Sequence, residues 1–173
     1  LIYHSRGEMN RASEHYLKAI EISKKQNYTI ANIIFRENLG DVLRELGKYN
    51  EAQENFEEAL KLAKKTQDRK HIATLSTSYA YYWIERGFFN RARKLIEKAI
   101  PILHEINYTF GMVNAYYVYA RYWLTSGHIQ KAVDSLEKCL GFMEKSGMME
   151  SKCDVLTLFA EIYGTLGDYK KAY

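Results

Sequence analysis

The sequence is poor in residues that interrupt helices and in residues that build covalent or metal sites. Among 173 residues there are one proline, 10 glycines and two cysteines. The chain is rich in Ala, Glu, Lys and Leu, which lose least on entering a helix, so this scarcity predicts an all-α protein. Cys139 and Cys153 fit neither a disulfide framework nor a Cys-x-x-Cys zinc pattern, and we expect reduced thiols.

Long apolar runs are absent as well. No segment approaches the roughly 18 to 20 apolar residues that cross a bilayer, and the N-terminus lacks the regions of a signal peptide. We therefore expect a soluble, cytoplasmic protein that does not associate with membranes. The formal net charge of +4 is mild for this length and does not by itself indicate nucleic acid as a partner.

Aromatic side chains, by contrast, are abundant. The chain has 15 Tyr, 7 Phe and 2 Trp within a composition that is 47% hydrophobic. Such side chains either fill a core or form a binding surface. We expect both uses here.

A 40-residue period runs through the whole chain. It is marked by glycines at Gly7, Gly47, Gly87, Gly127 and Gly167. Five residues after each glycine stands an alanine, at Ala12, Ala52, Ala92, Ala132 and Ala172. Four residues before each glycine stands a large apolar side chain, at Tyr3, Leu43, Trp83, Trp123 and Tyr163. Each period therefore repeats the same structural unit.

The unit predicted by this pattern is a helical hairpin. A large, small, large pattern at helical spacing, such as Tyr79, Ala80 and Trp83, marks the buried face of a first helix. The glycine that follows ends that helix and lets the chain reverse. Small and aromatic residues after the glycine, such as Ala52, Phe56 and Ala59, mark the buried face of a second helix. Neither helix can bury its stripe alone, so the hairpins are expected to stack.

These residues resemble the tetratricopeptide repeat. The resemblance rests on Leu39-Gly40, on Gly47-x-Tyr49-x-x-Ala52, and on Phe56 and Ala59, and it recurs over the whole chain. It implies a right-handed α-solenoid of antiparallel hairpins with the first helices on the concave side. Two departures are a period of 40 in place of the usual 34 and the missing proline at the end of the second helix. The longer period is similar to that of bacterial regulators and of scaffolds coupled to kinases or cyclases.

The register predicts the boundaries. First helices are expected near 30–46, 69–86, 109–126 and 149–166, and second helices near 8–26, 48–66, 88–106 and 128–146. The single solenoid, residues 1–173, then contains the repeats 1–28 (partial), 29–68, 69–108, 109–148 and 149–173 (partial). Apolar residues at both ends suggest a fragment of a longer protein and a surface for self-association. Pro101 should bend its helix near Glu97, or else the helix ends there.

Nothing in the sequence indicates an active site, and we expect no enzyme. The five histidines, His4, His15, His71, His104 and His128, include no pair at metal-binding spacing on one helix face. There is no phosphate-binding loop and no nucleophile elbow. We expect neither a metal nor a cofactor.

A polar stripe on the first helices is the candidate binding site. Positions 13, 10 and 6 before each glycine share one helix face, because their spacing is i, i+3 and i+7. With Arg44, which extends the stripe, the candidate groove residues are Glu37, Asp41, Arg44, Thr74, Thr77, Tyr81, Asn114, Tyr117, Arg121, Asp154, Thr157 and Glu161. We assign Tyr81 and Tyr117 to the groove, and four other tyrosines mainly to packing between repeats, namely Tyr79, Tyr82, Tyr119 and Tyr122.

The stripe is mainly acidic, whereas the second helices carry most of the lysines and arginines. This division predicts that the groove binds a neutral or basic peptide. Since the first helices lack the Lys-x-x-x-Asn and Lys-x-x-x-Arg pairs of chaperone-binding members of the family, a heat-shock chaperone tail is not expected. We therefore predict a peptide- or protein-binding scaffold in a bacterial regulatory or signalling protein. The alternative is a sensor of a signal peptide or small molecule that controls an attached effector domain.

Overall fold

The computed structural model describes residues 2–147 and 152–165, and their side chains over 6–147 and 154–164. These residues form eight helices and no strand: α1 (Ile2–Lys25), α2 (Thr29–Glu45), α3 (Tyr49–Lys65), α4 (Arg69–Glu85), α5 (Phe89–Glu105), α6 (Thr109–Thr125), α7 (Ile129–Ser146) and α8 (Lys152–Thr165). The prediction of an all-α hairpin solenoid is confirmed. The predicted helix after Gly167 and the side chain of Cys153 lie outside the described residues.

The helices recur with high regularity. Each helix from α2 to α6 is 17 residues long. The first helices α2, α4 and α6 begin 40 residues apart, at Thr29, Arg69 and Thr109. Helices α2 to α7 agree with the predicted bounds to within one residue at each end.

Each hairpin turn reverses through a left-handed residue. Gly47, Gly87 and Gly127 have φ near +77°, a conformation that glycine adopts without a Cβ clash. At the first of these turns the Lys48 amide donates to the Leu43 carbonyl at 2.8 Å, as in a Schellman motif. The glycine period therefore marks helix ends at these three positions, as predicted.

The links between hairpins use the same left-handed geometry, but at three of the four links the residue is not glycine. Asn27, Gln67 and Asn107 have φ of 58°, 55° and 50°, and Gly147 closes α7 at 68°. These four residues are themselves 40 apart. Asparagine tolerates the left-handed region because its short side chain can form a local hydrogen bond, whereas the longer glutamine side chain lacks this advantage. This second series of left-handed residues was therefore not evident in the sequence.

One expectation about helix ends is wrong, and one alternative is excluded. Gly7 does not end a helix, because α1 runs from Ile2 through it to Lys25. The described residues before Gly7 make less than two helical turns, too few to pack back on α1, and a glycine inside an exposed helix costs only about 1 kcal/mol. The helix containing Pro101 does not end there either, since α5 continues to Glu105. The bend near Glu97 stays a prediction.

The hairpins form two layers of unequal spacing. Among the described residues, α2 contacts α4, α4 contacts α6, and α6 contacts α8, whereas α1, α3, α5 and α7 make no such contacts with one another. Because the first helices lie closer together than the second helices, the surface of the first-helix layer curves inward. The candidate groove residues lie on this concave layer.

Small residues let the layers approach, and aromatic residues fill the space between hairpins. Ala52, Ala59, Ala92 and Ala99 are completely buried. Around them the ring of Tyr82 lies 4.9 Å from that of Trp83, centroid to centroid. One repeat later the Tyr122 and Trp123 rings repeat this contact at 4.8 Å. Tyr79, Tyr82 and Tyr122 are buried and Tyr119 is half-buried, so these four tyrosines lie in the interface between repeats.

Specific hydrogen bonds also cross from one hairpin to the next. The Tyr79 hydroxyl donates to Glu57 at 2.9 Å, and the equivalent Tyr119 hydroxyl donates to Glu97 at 3.4 Å. In the preceding repeat the equivalent positions are Leu17 and Leu39. Both members of the polar Glu–Tyr pair are thus leucine in that repeat.

Gly40 stands at a close approach of α2 and α3. A methyl group added there would lie 2.8 Å from ring atoms of the fully buried Phe56. In the next repeat the equivalent positions hold Ala80 and the smaller Ile96. The small residue on the first helix therefore changes with the size of its counterpart on the second.

Replacing Gly40 by alanine should lower the free energy of unfolding by about 1–2 kcal/mol, because crowding of Phe56 outweighs the gain in helix propensity. The matched control is Gly141→Ala. Gly141 also lies inside a helix, but a methyl group there meets no atom within 4 Å, so this variant should be about 0.5–1 kcal/mol more stable. Urea unfolding followed by circular dichroism measures both. Equal stabilisation of the two variants would contradict the close approach at Gly40.

Candidate functional site

The predicted stripe lines three adjoining hollows on the concave layer. The first, about 380 Å³, lies between α2, α4 and α6, and its lining includes Glu37, Asp41, Thr74, Thr77 and Asn114. The second, about 300 Å³, shares Asp41 and Asn114 with it and adds Arg44, Tyr81 and Tyr117. The third, about 130 Å³, joins Asn114 and Tyr117 to Asp154 on α8. Because neighbouring hollows share residues, they form one continuous surface, which we call the groove.

Three of the twelve candidates line none of these hollows. Arg121 lies over the Tyr81 ring at the edge of the second hollow, 5.4 Å from its centroid. Thr157 and Glu161 are exposed on α8. Thr77 does line the groove but is only 4% exposed, and its hydroxyl donates to the Ala73 carbonyl, so it offers little surface to a partner.

The first hollow has an acidic floor. Glu37 accepts a hydrogen bond from the Ser78 hydroxyl at 3.0 Å and forms no ion pair among the described residues. Burial raises the pKa of Glu37 to about 7, and the nearby charge of Asp41 adds to the rise. Burial also raises the pKa of Asp41 to about 6, against the opposing effect of Arg44. Two partly buried carboxyl groups with raised pKa values thus lie one helical turn apart on α2.

The rim of the hollow is partly apolar. Ile34 on α2 is 38% exposed and Phe110 on α6 is 50% exposed. Lys70 also lines the hollow, but its ammonium lies 4.5 Å from the centroid of the Tyr108 ring, in a cation–π contact. His71 is held by Asp68, at 2.7 Å between Nδ1 and Oδ2. Neither basic side chain neutralises the floor.

Arg44 organises the second hollow. Its side chain is only 10% exposed, and its guanidinium pairs with Glu85 on the next first helix at 2.8 Å and with Glu45 at 3.3 Å. It also lies 3.5 Å from Asp41. One guanidinium thus serves three carboxylates, and this part of the groove keeps a negative excess.

Tyr81 is held between two arginines. The guanidinium carbon of Arg44 lies 4.8 Å from the ring centroid of Tyr81, and that of Arg121 lies 5.4 Å from it. Burial raises the pKa of the Tyr81 phenol, and the two arginines oppose this rise. The ring is therefore fixed in place while part of it lines the second hollow, a geometry suited to an interface anchor.

Several groove residues were missed by the sequence analysis. Asn38 and Ser78 line the first hollow together with Tyr108, Phe110 and the basic side chains described above. They lie outside the i, i+3, i+7 stripe, on its flank or in the first turn of a helix. A wider stripe on each first helix would have included Asn38 and Ser78.

The described residues bring together no metal-binding cluster. No group of three or more His, Cys, Asp or Glu side chains among them is placed to hold a metal ion. The Cys139 thiol is buried and free, it donates to the Val113 carbonyl at 3.3 Å, and burial raises its pKa to about 11. None of the described helices is both long and apolar enough to cross a membrane.

Comparisons with known proteins agree with this architecture. The family model described as tetratricopeptide repeat matches residues 1–65 and 29–81. The crystal structure of BtubC (BKLC) from P. vanneervenii is 18% identical, with a TM-score of 0.77 over 98% of this chain and 70% of that one. A putative kinesin light chain from Podosopora anserina, with nearly identical TPR-like repeats, is 19% identical, with a TM-score of 0.65 over 98% and 84%. The chain matches none of the curated proteins.

The raised pKa of Glu37 predicts a pH-dependent stability. The pKa of Glu37 is about 7 in the folded state, above the ordinary 4.5, so the folded state binds the proton more tightly than the unfolded state. The contribution of protonated Glu37 to the free energy of unfolding is therefore full below pH 4.5 and is lost as the pH rises to about 7. Glu37→Gln removes this titration. The variant should therefore gain on the order of 1–3 kcal/mol over the wild type between pH 4.5 and 7.5.

Urea unfolding at a series of pH values measures this difference. The control is Glu54→Gln, which removes the same charge from an exposed position on α3. It controls for the loss of one negative charge from the chain. The assignment of a desolvated carboxyl to Glu37 is wrong if the two variants have the same pH profile.

Proposed function

We propose that this chain is a tetratricopeptide-repeat scaffold for protein interaction and that its groove binds a neutral or basic peptide segment of another protein. The observation that carries this proposal is the continuity of the groove. Nine of the twelve predicted residues line adjoining hollows across α2, α4, α6 and α8. Packed helices lie about 8–10 Å apart, so four of them span about 24–30 Å, the length of roughly eight extended residues.

The lining of the groove favours a peptide over a small molecule. Small-molecule pockets are mostly apolar with a few polar groups, whereas the first hollow is lined by Glu37, Asn38, Asp41, Ser78 and Asn114 among others. Polar side chains in a row suit the backbone and side chains of an extended segment. We therefore favour the scaffold over the sensor of a small signal.

The setting we propose is a bacterial regulatory or signalling protein that contains this solenoid as one part. Support for this setting is the 40-residue spacing, which is similar to the repeats of such regulators and longer than the family's usual unit. The outer layer fits a role in solution, since its lysines and arginines, including Lys61, Lys64, Arg93 and Lys98, are exposed.

A peptide selection tests the groove directly. Random 12-residue peptides displayed on phage are selected on the immobilised chain, and the affinity of synthetic copies is measured by fluorescence anisotropy. Tyr81→Ala and Tyr117→Ala should each weaken binding about tenfold or more, because aromatic anchors carry a large share of interface energy.

Tyr28→Ala is the matched control, since Tyr28 is 60% exposed and lies outside the groove, and it should leave affinity unchanged. Circular dichroism of each variant checks that the helices remain. Selected peptides whose affinity is unaffected by both groove substitutions would place the binding surface elsewhere. Failure to enrich any peptide would contradict the scaffold function itself.

A further inference from the structure

We propose that the first hollow of the groove is a subsite for an arginine side chain of the bound peptide, with its guanidinium against Glu37 and Asp41. This inference rests on the proposed function and adds to it the chemistry of one ligand residue. It is carried by the charge and shape of the hollow: an acidic floor, neutral polar walls and an apolar rim.

Of the two carboxyl groups on the floor, Glu37 has no cation paired with it among the described residues and Asp41 has only a shared one. Glu37 has a single described partner, the neutral Ser78 hydroxyl. Asp41 shares Arg44 with two other carboxylates, and the nearest of these, Glu85, lies closer to that guanidinium. Buried carboxylates are stabilised by a paired charge, and a ligand cation is the one the hollow leaves room for.

The shape fits arginine better than lysine. Glu37 and Asp41 lie one helical turn apart on α2, with an axial rise of about 6 Å between them, and a planar fork of five N–H donors is better suited to contact both carboxyl groups than a compact ammonium. Carbonyl oxygens of Asn38 and Asn114, which also line the hollow, can accept the remaining donors. Ile34 and Phe110 at the rim can cover the aliphatic stem of the side chain.

The proposal also predicts a pH dependence. With a pKa of about 7 for Glu37 and about 6 for Asp41, both carboxyl groups are partly protonated near pH 6, and a bound cation favours their ionised form. Affinity should therefore rise from pH 5.5 to 7.5 and then level off, with release of protons on binding.

Other charged and titratable groups surround the floor. Those facing it are Arg44 and Glu45 from α2, Lys70, His71, Tyr81 and Glu85 from α4, and Tyr108, Tyr117 and Arg121 from α6 and the link before it. Toward α3, the Arg36 guanidinium is bonded to Asn32 and Asn55. None of these groups pairs with Glu37.

The test uses two tripeptides that differ in one charge. Acetyl-Ala-Arg-Ala-amide and its citrulline analogue are titrated into the isotope-labelled chain, and amide signals are followed by NMR. The arginine peptide should give saturable shifts around Glu37, Asp41 and Ser78 and bind at least tenfold more tightly than the citrulline peptide. The Glu37→Gln/Asp41→Asn double variant should erase this preference, while Glu54→Gln should retain it. The affinity for the arginine peptide alone should increase with pH over the range given above.

The subsite is overturned if the two tripeptides bind equally, if neither binds, or if the shifts map outside the first hollow. These outcomes are distinct from failure of the proposed function. Selected 12-residue peptides that depend on Tyr81 and Tyr117, together with indifference to the arginine tripeptide, would keep the scaffold and remove the arginine subsite. A lysine tripeptide that binds as tightly as the arginine one would overturn the choice of guanidinium.

Discussion

The apolar faces of these helices are fully covered only when the packing within each hairpin is completed by the neighbouring hairpins, and the rest of the structure depends on this burial. Tyr82 and Trp83 of α4 lie against Phe56 and Phe88 of the second-helix layer, so each aromatic cluster is divided between successive hairpins. The distance between first helices is then set by the small residues beneath the aromatic ones. Since the groove is the outer surface of those same helices, its width follows from core packing rather than from the groove residues themselves.

The sequence predicted the helices well because the signals that end them were explicit. Gly47, Gly87 and Gly127 have the left-handed backbone that the period implied. The second series of left-handed residues could not be predicted in the same way, because Gln67 is a poor candidate for that conformation and is held there by the packing of α3 and α4. Gly7 misled for the opposite reason, because a glycine inside an exposed helix costs only about 1 kcal/mol and need not end it.

The groove was predictable as a stripe but not as a charge distribution. Spacing alone places Glu37, Tyr81 and Asn114 on one face. It could not reveal that Arg44 would reach Glu85, 41 residues away, or that Glu37 would be left with only a hydroxyl. Those pairings depend on how far adjacent first helices are offset along their axes, and this offset cannot be read from the sequence of one helix. The raised pKa values follow from the same packing, because burial is their largest cause.

The hydrogen bond between Glu57 and Tyr79 has a consequence for how this chain can be rearranged. Its two members belong to successive hairpins, as do Glu97 and Tyr119, while two leucines fill the equivalent positions of the preceding repeat. Excising a hairpin at the links that flank it separates the two partners. Joining it to the preceding repeat then places a partly buried tyrosine hydroxyl against a leucine. The unit to move when this solenoid is shortened, lengthened or recombined is therefore a second helix together with the first helix that follows it. Its junctions then lie inside hairpins, at Gly47, Gly87 or Gly127.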